Sequence, residues 1–227
     1  MVLYVGSDET PARTAPAPRP SYRPWADGVF ITVDGPSGVG KTTMTGLLAK
    51  SLRGYGLTVT STTEPSPSAM GELARYGTHQ YHGRSLSCLI AADRYYHAET
   101  VIRPALERGE VVVCDRYLPS SLVLDQLDGV PFDFVWNTQR DLPWPHLAVF
   151  LTGSWQLCAQ RAAGRGNHSR FQLADRAAKQ REAELFGHVA DELVTRGYPV
   201  WPYDIGDQSP EAVHNALVLR ATDQFGW

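Results

Sequence analysis

Residues Gly35 to Thr42 read Gly-Pro-Ser-Gly-Val-Gly-Lys-Thr, directly after the apolar run Val29-Phe30-Ile31-Thr32-Val33-Asp34 and directly before an amphipathic segment that begins at Thr43. A strand, a glycine-rich turn and a helix in that order confine the chain to an open α/β sheet, with the turn at the C-terminal edge of a strand. The glycines let the backbone curl until consecutive N–H groups face inward as an anion nest, and the helix N-terminus reinforces it. The segment Gly35, Pro36, Ser37, Gly38, Val39, Gly40, Lys41, Thr42 and Thr43 is therefore expected to hold nucleotide phosphates. Lys41 should reach the β- and γ-phosphates, and the Thr42 hydroxyl is placed to ligate Mg²⁺.

The rest of the chain alternates strand-like and helix-like patterns. Met44, Leu47, Leu48 and Leu52 recur at helical spacing up to Gly54 and Gly56. Leu57 to Thr63 is rich in β-branched residues and reads as a second strand, which ends at Glu64-Pro65. A long helical stretch from about 85 to 108 should bend near Pro104. Val111-Val112-Val113-Cys114 is continuously apolar, as for a strand buried on both faces. Helices are expected over much of 119–140, a fourth strand over Leu147 to Leu151, helices from about Ser154 and around Leu185, Val189 and Leu193, a fifth strand over Pro199 to Ile205, and a last helix from 209. This order predicts a three-layer α/β domain over 28–227, with five parallel strands joined by right-handed crossovers. Residues 1–27 hold Pro11, Pro16, Pro18, Pro20 and Pro24 among small and polar residues and read as a flexible leader.

Bulk properties narrow the partners. A formal net charge of -3 gives no general basic field, which argues against a nucleic-acid partner and for a small-molecule substrate. Cys88, Cys114 and Cys158 are odd in number and widely spaced, which fits neither a disulfide framework nor a zinc site and suits a reducing cytoplasm. No run approaches the roughly 18 apolar residues of a membrane span, and the first residues lack the layout of a secretory signal.

Asp115 and Arg116 follow the buried third strand at the edge where such sheets bind ligands. Asp115 is expected beside Thr42 in the Mg²⁺ shell, and Arg116 offers a planar fork for a phosphate. Glu64 ends the second strand at the same edge, as a base for an attacking hydroxyl, a group that orients a sugar, or a loop carboxylate without a task. Ile90, Asp93, Arg94 and His97 share one helical stripe, which either lines an acceptor pocket through Arg94 or forms an ion pair on a wet face; His97 reads as structural. Arg161 and Arg165 lie one helical turn apart. With Arg170 beyond a glycine-rich stretch they suit a lid, at about 164–172, that neutralises transferring phosphates.

These features together resemble the thymidylate kinase family of nucleoside monophosphate kinases. The similar pieces are Phe30 to Thr43, Thr63-Glu64-Pro65, Ala91-Ala92-Asp93-Arg94 with Pro104-Ala105-Leu106 and Gly109, Asp115-Arg116-Tyr117 with Ser120, and Ser169-Arg170-Phe171-Gln172. The resemblance implies a five-stranded parallel sheet, ATP and Mg²⁺ as donor, a mobile lid and often a homodimer. It assigns Lys41, Asp115, Arg170 and Glu64 to catalysis, and Glu64, Ile90, Arg94, Arg116, Ser120 and Leu124 to the acceptor. The acceptor half departs from the family pattern. Ser37 replaces an acidic residue, Ile90 an aromatic that stacks on thymine, and Thr63 an arginine that grips the acceptor phosphate. Leu124 replaces a tyrosine near the sugar, and with Asp125 it leads to an expected tolerance of ribose. Thymidylate is the default acceptor. Deoxyribonucleoside kinases are also similar at Glu64-Pro65 and Asp115-Arg116, which keeps 5′-hydroxyl phosphorylation open, as does a non-catalytic relative that only binds. A GTPase switch would need an Asn-Lys-x-Asp sequence, which the chain lacks.

Overall fold

The computed structural model describes residues 28–162, 170–171 and 175–227. The expected leader, Arg165 and most of the expected lid lie outside the described residues. In chain order the elements are β1 (Val29–Asp34), α1 (Lys41–Gly54), β2 (Val59–Thr63), α2 (Ala69–Tyr76), α3 (Gly83–His97), α4 (Arg103–Glu107), β3 (Val111–Asp115), α5 (Leu118–Leu127), α6 (Phe132–Gln139), β4 (Leu147–Thr152), α7 (Trp155–Ala162), α8 (Arg176–Thr195), β5 (Val200–Asp204) and α9 (Pro210–Phe225).

The five strands form one parallel sheet in the order β2-β3-β1-β4-β5. Alternate side chains of β1 serve opposite faces. Phe30 joins Leu106, Val112, Leu122, Phe150 and Phe186 in one core, and Ile31 and Val33 join Leu48, Leu52, Val113 and Leu217 in the other. All five residues of β3 are buried because both faces are covered, which explains its uninterrupted apolar run. The chain leaves β1 between β3 and β4, so the strand order reverses there. A crevice opens at that switch point beyond the strand ends. The register Val33↔Asp115 brings the end of β3 level with the last residues of β1.

Two local features differ from the sequence expectation. The region 66–84 carries an unforeseen helix, α2, whose N-cap Ser68 accepts a hydrogen bond from Gly71 N at 3.0 Å. The long helical stretch is interrupted by a π-turn over Ala98–Ile102 rather than by a simple bend at Pro104. The wide turn accommodates the proline ring, which would otherwise press on the carbonyl four residues earlier.

Candidate active site

Gly35, Gly38 and Gly40 adopt φ of 146°, 89° and 108°, a region that favours glycine. Two of them are also required by contact. A Cβ at Gly35 would lie 2.2 Å from the Leu151 carbonyl oxygen, and one at Gly38 would lie 2.0 Å from that of Cys158. The loop therefore nestles against the end of β4 and against α7. Lys41, at the first position of α1, is buried, and its Nζ donates to the carbonyls of Gly35 and Pro36 at 2.7 and 2.8 Å. Burial pulls its ammonium down to about 7, helped by the nearby Arg116 charge and opposed by Asp115, Glu182 and Asp34.

Thr42 Oγ1 donates to Asp115 Oδ2 at 2.5 Å, which brings together the two residues expected around Mg²⁺. Asp115 Oδ1 is buried and has no hydrogen-bond partner among the described residues. A carboxylate with a spare oxygen beside a hydroxyl is an all-oxygen donor set suited to Mg²⁺, so the residues present fit that ion. Arg116, also at positive φ (70°), has a buried Nη1 without a partner among the described residues. An unspent guanidinium N–H at a ligand-binding edge suits an anionic oxygen.

A cleft of about 670 Å³ runs from Ser37, Lys41 and Thr42 past Asp115 and Arg116 to Glu64, Ile90 and Leu124. The far end thus includes three of the expected acceptor residues. Asp125 is buried, and its Oδ2 accepts from Ser87 Oγ at 2.6 Å.

Arg94 and Ser120, also expected at the acceptor, are not among the residues that line this cleft. Arg94 Nε binds Glu64 Oε2, Nη1 binds Gln139 Oε1, and Nη2 donates to Ser121 Oγ at 3.0 Å and to the Tyr117 carbonyl at 3.3 Å. Only 2 % of the residue is exposed, and Asp93 and His97 are buried with it, so these three make neither a wet face nor a cleft wall, while Ile90 of the same stripe lines the cleft. The three fasten the β2–α2 connection. Asp93 accepts from Ser66 N at 2.7 Å, and His97 bridges Glu64 Oε1 at 3.1 Å and Thr62 Oγ1 at 2.8 Å. Ser120 Oγ donates to Asp34 Oδ1 at 2.6 Å.

Asp34 went unnoticed in the sequence, although a carboxylate directly before the first loop glycine was the available signal. Its Oδ1 also accepts from Tyr117 N at 3.0 Å and Ser120 N at 3.1 Å, which fixes the start of α5. Burial pushes its carboxyl above the usual range, against the Ser120 and Tyr117 bonds. Arg75 on α2 was also missed; it borders the cleft and donates to the Pro65 carbonyl.

Arg170, expected over the phosphates, is engaged by protein groups. It pairs with Asp128 at 2.5 Å, donates to the carbonyls of Tyr81 (2.8 Å) and Thr78, and lies over the Phe171 ring. Arg161 is exposed in the last turn of α7.

The thymidylate kinase family model matches residues 33–196. The thymidylate kinase of Leifsonia xyli subsp. xyli is 46% identical over 107 residues, which cover 45% of this chain and 50% of that one. That of Deinococcus radiodurans is 35% identical over 173 residues, 73% of this chain and 84% of that one. The solved thymidylate kinase of Candida albicans superposes with a TM-score of 0.73 over 88% of this chain and 94% of that one, at 17% identity, a likeness of fold alone. With a family model that spans most of its length, the chain belongs to the thymidylate kinase family.

Proposed function

We propose that this protein transfers the γ-phosphoryl group of ATP to dTMP, giving dTDP and ADP. The observation that carries the reading is the Thr42–Asp115 pair, which stands at the foot of the glycine-rich loop in a cleft that continues to Glu64, Ile90 and Leu124. Gly38, Gly40 and Lys41 hold the donor phosphates, and Thr42 with Asp115 holds Mg²⁺. The ion, when bound, neutralises charge on the β- and γ-oxygens. Phosphoryl transfer asks for positioning and charge compensation more than covalent help. Arg116 and Arg75 bring two guanidinium groups to the acceptor side, where Thr63 lacks the family's arginine. Glu64 orients this end while paired with Arg94 and hydrogen-bonded to His97. Arg170 takes part in transfer only after leaving Asp128, with Arg161 and Arg165 as the other lid charges. A cytoplasmic location and a homodimer belong to the same reading, the latter checked by sedimentation velocity.

The test is coupled ADP release with Mg·ATP against paired nucleosides and nucleoside monophosphates, in ribose and deoxyribose forms, with Lys41→Ala as the blank. Turnover with monophosphates, thymidylate best, supports the reading. Turnover with free nucleosides alone replaces it with 5′-hydroxyl phosphorylation. Silence across the panel leaves a binding protein without transfer.

A further inference from the structure

The loop that cradles the donor phosphates is held from behind by a residue far along the chain. Ser37 N and Ser37 Oγ both donate to Glu182 Oε1 on α8, each at 2.9 Å, across 145 positions of sequence. Glu182 is 2 % exposed. Its other oxygen, Oε2, lies 3.3 Å from Lys179 Nζ, which donates to the Phe171 carbonyl at 2.9 Å. Phe171 borders the cleft, as Ser37 does. An unbroken polar path therefore runs from the loop through one buried ion pair to the chain segment at the cleft wall. A buried carboxylate is retained at a cost unless its oxygens are well bonded. Here Oε1 accepts two bonds and Oε2 meets an ammonium group, so the bonds themselves account for the burial. The carboxylate also opposes the loss of the Lys41 proton. Ser37 stands where the family pattern has an acidic side chain, and the negative charge reaches the loop from α8 instead.

We propose that Glu182 is a positioning residue for the donor-phosphate loop, which holds Ser37 in the phosphate-binding curl and, through Lys179, ties the loop to the cleft-lining chain at Phe171. The role rests on the kinase reading for its consequence in turnover, but the loop's grip on a nucleotide diphosphate is measurable without any acceptor. Glu182→Leu removes every acceptor offered to Ser37. Glu182→Gln keeps an oxygen for Ser37 but turns an amide toward Lys179.

Mg·ADP binding by calorimetry and steady-state turnover with Mg·ATP and dTMP are measured on the full chain with both variants, Ser37→Ala and the Ser37→Ala/Glu182→Leu double. Loss of hydrogen bonds to a charged group predicts that Glu182→Leu weakens Mg·ADP about 10- to 100-fold, with KM for dTMP changed less than about twofold. Adding Ser37→Ala should then cost less than about twofold more, because the two act as one unit. Glu182→Gln should keep Mg·ADP affinity within about threefold while kcat falls about tenfold, since only the tie to Phe171 is lost. Wild-type Mg·ADP affinity in Glu182→Leu overturns the proposal, as do additive losses in the double variant or equal losses toward both substrates. If the leucine variant does not fold, Glu182→Gln decides, because wild-type kcat there overturns the tie through Lys179 to Phe171. A wild-type protein that binds Mg·ADP but ignores dTMP would refute the function proposed above and leave the binding cycle intact.

Discussion

Lys41 shows most directly how burial and function meet in one side chain. Its Nζ donates to two loop carbonyls, and burial holds its ammonium down at about 7. Phosphate oxygens at the same place favour the charged form, so nucleotide binding should draw a proton from solvent wherever the free residue is neutral. Mg·ADP binding is predicted to take up more of a proton at pH 8 than at pH 6. Calorimetry in buffers of different ionisation enthalpy measures this, and Lys41→Met should abolish it. The sign for folding follows from the same shift. Between about 7 and the ordinary 10.5 the unfolded chain binds more protons, so this residue's contribution to stability rises with pH in that window. Asp125 behaves in the opposite way. Burial raises its carboxyl to about 6, against the Ser87 bond, so the native state binds more protons between the ordinary 3.8 and about 6, and its contribution falls as pH rises through that range. Asp125→Asn keeps an oxygen for Ser87 and is expected to stabilise the protein by about 1–3 kcal/mol at pH 7 and negligibly at pH 4, read by urea denaturation.

At the scale of elements, the parts legible in the sequence are those whose signal is local. The loop announces itself because glycine, lysine and threonine must be consecutive to do their work, and β3 because burial on both faces demands an unbroken apolar run. α2 was not legible, since Ala69–Tyr76 spans only 8 residues, too short a run for its period to declare itself. The stripe on α3 was legible as a stripe but not in its partners. Spacing places Asp93, Arg94 and His97 on one face, while only the fold sets that face against Glu64 and Ser66. Arg170 poses the corresponding question for the connection between α7 and α8. Its ion pair with Asp128 and bonds to Thr78 and Tyr81 fasten residues 170–171 beside the cleft. If it then exchanges Asp128 for the transferring phosphate, Arg170→Ala should lower kcat more than about tenfold and change Mg·ADP affinity less than about threefold. Steady-state kinetics with calorimetry checks this, and wild-type kcat would remove Arg170 from the reaction.

For the whole molecule, the parallel sheet and its strand count follow from the alternation of patterns, and the crevice follows from the reversal of strand order at β1. The composition of the site does not follow so directly. The cleft gathers Lys41 and Thr42 from α1, Glu64 and Pro65 after β2, Arg75 from α2, Ile90 from α3, Asp115 and Arg116 from the end of β3, and Leu124 from α5. Each contributor lies at the C-terminal edge of the sheet or on a helix that leans over it, so topology rather than spacing selects them. Glu182 is the extreme case, a helix residue with no motif of its own that meets the loop from 145 positions along the chain. The same topology brings two guanidinium groups, Arg75 and Arg116, to the cleft that Glu64 and Asp115 also line. The central claim is that this cleft carries a phosphoryl group from ATP to a nucleotide acceptor, and direct identification of the product tests it. With γ-labelled ATP, Mg²⁺ and dTMP, anion-exchange separation should show label appearing in dTDP with the wild-type chain and at least about a hundredfold less with Asp115→Ala. Label that stays in ATP, or appears only as free phosphate, would contradict the account.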